Sequence, residues 1–176
     1  MTALDWGAAE RLTVTQLLDD RVAKTPDATA LWLDDVAYTF ADLADRSRAT
    51  ATALLTLGVR PGESVALFLE SCIELVDVWF ACAAIGVVSV PINIANRGDF
   101  LAHQLRDSRA VAVFVDASTR DAVQTVSSEL PDLRNVVVAD AHMFAEGGDE
   151  VPWPEDARPS WNAPACILYT SGTTGP

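Results

Sequence analysis

The sequence predicts an α/β fold, a doubly wound and mostly parallel sheet flanked by helices. Three observations predict it. Short, nearly unbroken apolar runs such as 64–69 and 111–115 are of the kind buried on both faces of a parallel sheet. Stretches with helical spacing of apolar residues alternate with them, and glycine or proline punctuates the junctions. Half of the 176 residues are hydrophobic, enough for the core of one compact domain or a large piece of one.

Val14, Leu17, Leu18 and Val22 recur at helical spacing behind Thr13 and Gln16, a capping pair, and the stretch ends before Pro26. Residues 28–33 and 36–38, rich in apolar, branched and aromatic side chains and joined by Asp34 and Asp35, predict a short hairpin. A second helix starts at Thr39, whose hydroxyl can cap free amides. It turns Phe40, Leu43, Ala51, Leu54 and Leu55 inward and stops at Gly58. Arg60, Pro61 and Gly62 form a turn into the strand 64–69, after which Ser71 and Glu74 read as a capping box for a helix carrying Ile73, Val76, Trp79, Phe80 and Ala83. Gly86 ends that helix, and Pro91 closes the next strand, 87–90, because it has no amide hydrogen to donate. A helix over 98–107, a strand at 111–115, a helix over about 118–128 and a strand at 136–138 continue the alternation. Residues 140–164 are glycine, proline, acidic residues and two tryptophans, a long loop without an internal repeat. A final strand, 165–169, leads into Thr170, Ser171, Gly172, Thr173, Thr174 and Gly175.

Composition removes several function classes. Acidic residues outnumber basic ones 25 to 12, and a formal charge of -13 disfavours nucleic acid and anionic membranes as partners. The chain opens with no charged leader followed by an apolar stretch, and its apolar runs are too short to span a bilayer, so a cytoplasmic protein is expected. Cys72, Cys82 and Cys166 are too few and too far apart for a disulfide framework or a zinc site, and are expected to be reduced, buried and structural. His103 and His142 lack ligand-spaced neighbours and are expected at the surface or at caps. Trp153 and Trp161, among prolines, are expected to pin the loop onto the core. Asp19 with Asp20 and Asp34 with Asp35 point apart and belong to solvated surface, and Arg46, Arg48, Arg106 and Arg109 read as helix-face or helix-end charges.

The chemistry is carried by the end of the sequence. Glycines let consecutive backbone amides converge on an anion, and serine and threonine hydroxyls add neutral donors, so a buried strand running into such a loop suits phosphate. Composition alone favours a plain flexible loop; the strand immediately before it shifts the reading to phosphate. A P-loop is excluded, since that motif needs four residues between its glycines and then a lysine, whereas two residues separate Gly172 from Gly175.

The string Tyr-Thr-Ser-Gly-Thr-Thr-Gly-Pro at 169–176 resembles the phosphate-binding signature of the adenylate-forming superfamily, which includes acyl-CoA synthetases, peptide-synthetase adenylation domains and luciferases. Further landmarks resemble that family's opening region: Thr25, Pro26 and Asp27 with Ala30; Tyr38, Thr39 and Phe40 with Leu43; Gly58 and Val59 with Gly62 and Glu63; Val65 and Ala66; Gly86 with Val90, Pro91, Ile92 and Asn93. The resemblance implies that residues 1–176 are the N-terminal portion of an AMP-binding domain of the acyl-CoA synthetase type. It also implies an ATP-dependent reaction with magnesium, in which a small-molecule carboxylic acid is joined to the α-phosphate and then passed to coenzyme A. By the same resemblance Thr170, Ser171, Gly172, Thr173, Thr174 and Gly175 hold the β- and γ-phosphates. The lysine that usually follows the proline, the adenine pocket, the magnesium-binding glutamate and the late catalytic lysine lie further along in the family, so these 176 residues alone are expected to be inactive. The run from Val90 to Asn96 is closer to the acyl-CoA ligases, because peptide-synthetase domains commonly carry aspartate where Asn93 stands. A non-enzymatic binding module that keeps the sheet without the reaction is the alternative of a different class.

Overall fold

In the computed structural model, described for residues 12–139 and 159–170, the chain enters through helix α1 (Val14–Lys24). Its start is the predicted capping box: Thr13 Oγ1 accepts from the Gln16 amide at 3.2 Å, and Gln16 Oε1 accepts from the Thr13 amide at 2.8 Å. Strands β1 (Thr29–Leu33) and β2 (Val36–Thr39) form the expected antiparallel hairpin. Thr39 then caps α2 (Phe40–Thr56) in a second reciprocal box with Asp42. Gly58, at φ +81°, ends α2 in a Schellman turn, with Val59 N donating to Leu54 O and Gly58 N to Leu55 O.

The main sheet follows. Strand β3 (Ser64–Phe68), helix α3 (Ile73–Ala84), β4 (Val88–Pro91), α4 (Gly98–Asp107), β5 (Ala110–Val115), α5 (Arg120–Val126), a 3₁₀ turn (Ser127–Glu129) and β6 (Asn135–Val138) alternate along the chain. All pairings in this sheet are parallel, in the order β4-β3-β5-β6. Period-two alternation splits β3 between two cores. Val65 and Leu67 pack with Leu54, Val78, Cys82 and Phe114 under α2 and α3, whereas Ala66 and Phe68 pack with Val90, Leu101, Leu105 and Val123 under α4 and α5. Burial on both faces is why β3 and β5 read as unbroken apolar runs. A third cluster, with Leu18, Leu43 and Ile73 at its centre, attaches α1 and the hairpin to α2 and α3. Among the described residues no helix is long and apolar enough to cross a membrane.

Several expectations need correction. Ser71 and Glu74 do not make a capping box: Cys72 is the N-cap of α3 and contributes no side-chain bond. Val76, Trp79, Phe80 and Ala83 of α3 are half-buried, Ile73 is buried, and Val78, Ala81 and Cys82 are fully enclosed. Only Cys82 is buried; Cys72 is half-buried and Cys166 is exposed. Trp161 is 59% exposed rather than pinned to the core. It rims a small cavity of about 140 Å³ lined also by Val14, Ala83, Val87 and Pro164, so the indole touches apolar neighbours at the surface without being enclosed by them. Trp153, His142 and residues 140–158 lie outside the described residues, while 159–164 form a turn without helix or strand, as expected there. His103 is exposed, as are Asp19, Asp20, Asp34 and Asp35.

Candidate phosphate-binding site

The predicted strand 165–169 is a single parallel bridge, Ser89 to Cys166, at the outer edge of β4. Ser89 N donates to Ala165 O at 3.1 Å, Ile167 N donates to Ser89 O at 2.9 Å, and Ser89 Oγ adds a bond to Ala165 O at 3.2 Å. The next donor a parallel ladder would need on β4 belongs to Pro91, which has none. The residue that ends β4 therefore also stops its neighbour from growing into a full strand.

Beyond that point Leu168 is 70% exposed and Thr170 is exposed, but Tyr169 is held. Its ring packs with Ile167 against the core under α4 and lies edge-on to His103, ring centres 6.4 Å apart. Its hydroxyl donates to Asp107 Oδ2 at 2.7 Å and lies 3.2 Å from Gln104 O. Burial, with the Asp107 carboxylate next, pushes the phenol up to about 12, so it remains a donor at neutral pH. Parallel pairing with β4 sends Thr170 toward the carboxyl ends of the strands, the edge at which open α/β sheets bind ligands. Of the six residues assigned to phosphate, Thr170 is placed there; Ser171, Gly172, Thr173, Thr174 and Gly175 lie outside the described residues.

The same edge has a polar cluster that the sequence reading missed. Asp116, just past β5, accepts from Glu70 N at 3.0 Å, Ser118 N at 2.8 Å, Ser118 Oγ at 2.7 Å and Thr119 N at 3.0 Å. Thr119 Oγ1 donates to Phe68 O at 2.7 Å. Burial pushes the Asp116 carboxyl up, but the bonds from Ser118, Glu70 and Thr119 outweigh it and hold it at about 2. The cluster joins the ends of β3 and β5, where the strand order reverses, and fills that crevice with the protein's own donors. Its signal was the Asp-x-Ser-Thr run after an apolar strand, a local turn pattern.

An apolar groove of about 590 Å³ lies elsewhere, between α1, the hairpin and α3, lined by Leu17, Leu31, Phe40, Leu75 and Trp79. Among the described residues, Arg21, stacked 4.7 Å over the Phe40 ring, is the one charged member of its lining. That described lining offers no group for acid-base chemistry.

The family described as AMP-binding enzyme matches residues 18–176. Isonitrile lipopeptide synthase of Mycobacterium tuberculosis is 32% identical over 179 residues, covering 97% of this chain and 7% of that protein. Crotonobetaine/carnitine–CoA ligase of Escherichia coli is 31% identical over 148 residues, covering 78% of this chain and 29% of the ligase. The structure of O-succinylbenzoate coenzyme A synthetase from Bacillus subtilis, in complex with AMP, matches with a TM-score of 0.76 at 30% identity, over 90% of this chain and 39% of that one. The chain thus spans well under half the length of each of these proteins. A match of that extent over a parallel sheet with helices on both faces settles its membership: the chain belongs to the AMP-binding enzyme family.

Proposed function

We propose that the chain is the opening portion of an ATP-dependent carboxylate–CoA ligase. The observation that carries the reading is the exit of Thr170 at the carboxyl edge of the sheet, followed at once by a run of hydroxyl and glycine residues. A carboxylate oxygen attacks the α-phosphorus of ATP, the bond to the bridging oxygen of the β-phosphate breaks, and pyrophosphate leaves with the negative charge. The thiolate of coenzyme A then attacks the acyl carbon and AMP departs. The first step brings two anions together, so placement and positive potential supply most of the catalysis. Thr170 to Gly175 orient the β- and γ-phosphates and disperse the charge of the leaving group. Magnesium belongs to the same proposal; the described residues contain no group of three acidic, histidine or cysteine side chains able to hold it.

The likeness to isonitrile lipopeptide synthase favours a second reading, an adenylation unit that passes its acyl group to a carrier-protein thiol. Asn93 makes a local turn, its Oδ1 accepting from Ala95 N at 2.9 Å, and an aspartate could accept the same bond. ATP–pyrophosphate exchange by the full-length protein, run with a panel of carboxylic and amino acids, tests both readings. Acid-dependent exchange followed by acyl-CoA release is expected. Exchange with amino acids and no CoA thioester would carry the second reading, and no exchange with any acid would defeat both.

A further inference from the structure

We propose that Tyr169 is a positioning residue for the phosphate loop, its hydroxyl fixed by Asp107 and Gln104 of α4 so that Thr170, the first residue of that loop, leaves the sheet from a fixed point. This rests on the phosphate-loop reading above. Backbone pairing cannot do the task. The ladder from β4 ends at the bond from Ile167 to Ser89, because Pro91 has no N–H for the next rung. Among the described residues, the Tyr169 side chain is then the last tether before the loop, since Leu168 and Thr170 are both exposed.

The partner is placed with equal economy. Asp107 is the last residue of α4, where the helix dipole disfavours a carboxylate. A phenol hydroxyl donating to that carboxylate at 2.7 Å offsets the unfavourable placement and forms a charge-assisted bond. The helix is itself fixed, with Leu101, Ala102 and Leu105 fully enclosed in the core and Asn96 Nδ2 bonded to Gln104 Oε1 at 2.8 Å. A packed helix thereby holds the residue next to the first hydroxyl of the loop.

The test compares wild-type full-length protein with Tyr169→Phe, Asp107→Ala, Asp107→Asn and the Tyr169→Phe/Asp107→Ala double variant in ATP–pyrophosphate exchange. Tyr169→Phe keeps the ring packing and removes only the donor. A positioning role raises the KM for ATP by about fivefold, the order expected for one partly exposed charge-assisted bond, while the KM for the acid and the melting temperature hold. Asp107→Ala matches it, the double variant is no worse than either single one, and Asp107→Asn, which keeps an acceptor, lies closer to wild type. An active wild type whose Tyr169→Phe variant keeps its KM for ATP overturns this proposal alone, as does a variant whose two KM values rise together with a lowered melting temperature. A wild type that is silent with every acid overturns the phosphate-loop reading itself.

Discussion

Arg46 on α2 grips Asp77 on α3 with two nitrogens: Nε lies 3.0 and 3.1 Å from the carboxylate oxygens and Nη2 lies 2.6 Å from Oδ2. The Asp77 side chain is 1% exposed and that of Arg46 32%, so the acid depends on the base for solvation more than the reverse. Burial raises the Asp77 carboxyl above its ordinary range even with Arg46 beside it. Arg46→Ala leaves that carboxylate enclosed and is expected to lower stability by about 2–4 kcal/mol at neutral pH. Asp77→Ala costs less, because the freed guanidinium can reach water. A group whose folded pKa is raised contributes stability below its unfolded pKa and loses it as pH rises, so the Arg46→Ala deficit shrinks on acidification toward pH 4. Urea unfolding at pH 7 and pH 5 checks this, and equal deficits at the two values would count against the account.

The pair also shows where reading the sequence stops. Thr13 with Gln16, and Thr39 ahead of its helix, were legible because a cap is a bond between residues three apart, and the residues that make it stand in one window. The parallel sheet was legible because burial on both faces leaves unbroken apolar runs. Arg46 and Asp77 stand 31 residues apart, and nothing in either window names the other. Ser71 and Glu74 have capping-box spacing, yet the helix starts later, at Ile73. For the site, the segment at 165–169 was correctly placed before the loop, but its reduction to one bridge follows from the position of Pro91 opposite it, a relation that only pairing reveals. Tyr169 was read as part of a motif, whereas its hold on Asp107 joins residues 62 apart in the sequence.

The hairpin turn carries a correctable strain. Leu33 pairs with Val36, leaving Asp34 and Asp35 as a two-residue loop with φ of 47° and 62°. That is the geometry of a type I′ turn, which glycine suits best at the second position. Asp35→Gly removes the steric cost at some cost in unfolded-state entropy, for a net gain of about 0.5 kcal/mol. Asp35→Val, branched at Cβ, is expected to lose about 1 kcal/mol or more. Thermal unfolding of the two variants gives opposite signs on this account; a glycine variant that melts earlier contradicts it.

Thr119 ties two strand ends together while itself fully enclosed. Its hydroxyl donates to Phe68 O at 2.7 Å and accepts from Asp116 N at 3.0 Å. Thr119→Val preserves shape but takes a donor from one buried carbonyl and an acceptor from one amide, a loss of about 2–3 kcal/mol. Thr119→Ser keeps both bonds and loses only the methyl packing, so it should recover most of that loss. Equal destabilisation by serine and valine would assign the role of Thr119 to its methyl group instead.

Asp116 should make the fold acid-sensitive at a definable point. Four donors hold its carboxyl at about 2, below the unfolded value of about 3.9. A group whose folded pKa is depressed contributes stability above its unfolded pKa and loses it as pH falls through the folded one, so the window runs from about pH 5 down to pH 2. Partial solvent access limits the contribution to about 1–2 kcal/mol. Asp116→Asn retains one acceptor oxygen and cannot titrate, so its stability deficit is expected at pH 7 and should fade as the wild type protonates. The measurement is the difference in unfolding free energy between the two proteins across that window. A deficit that stays constant from pH 6 to pH 2.5 would mean that the donors around Asp116 stabilise the loop by shape alone, and the carboxylate charge contributes nothing to joining β3 with β5.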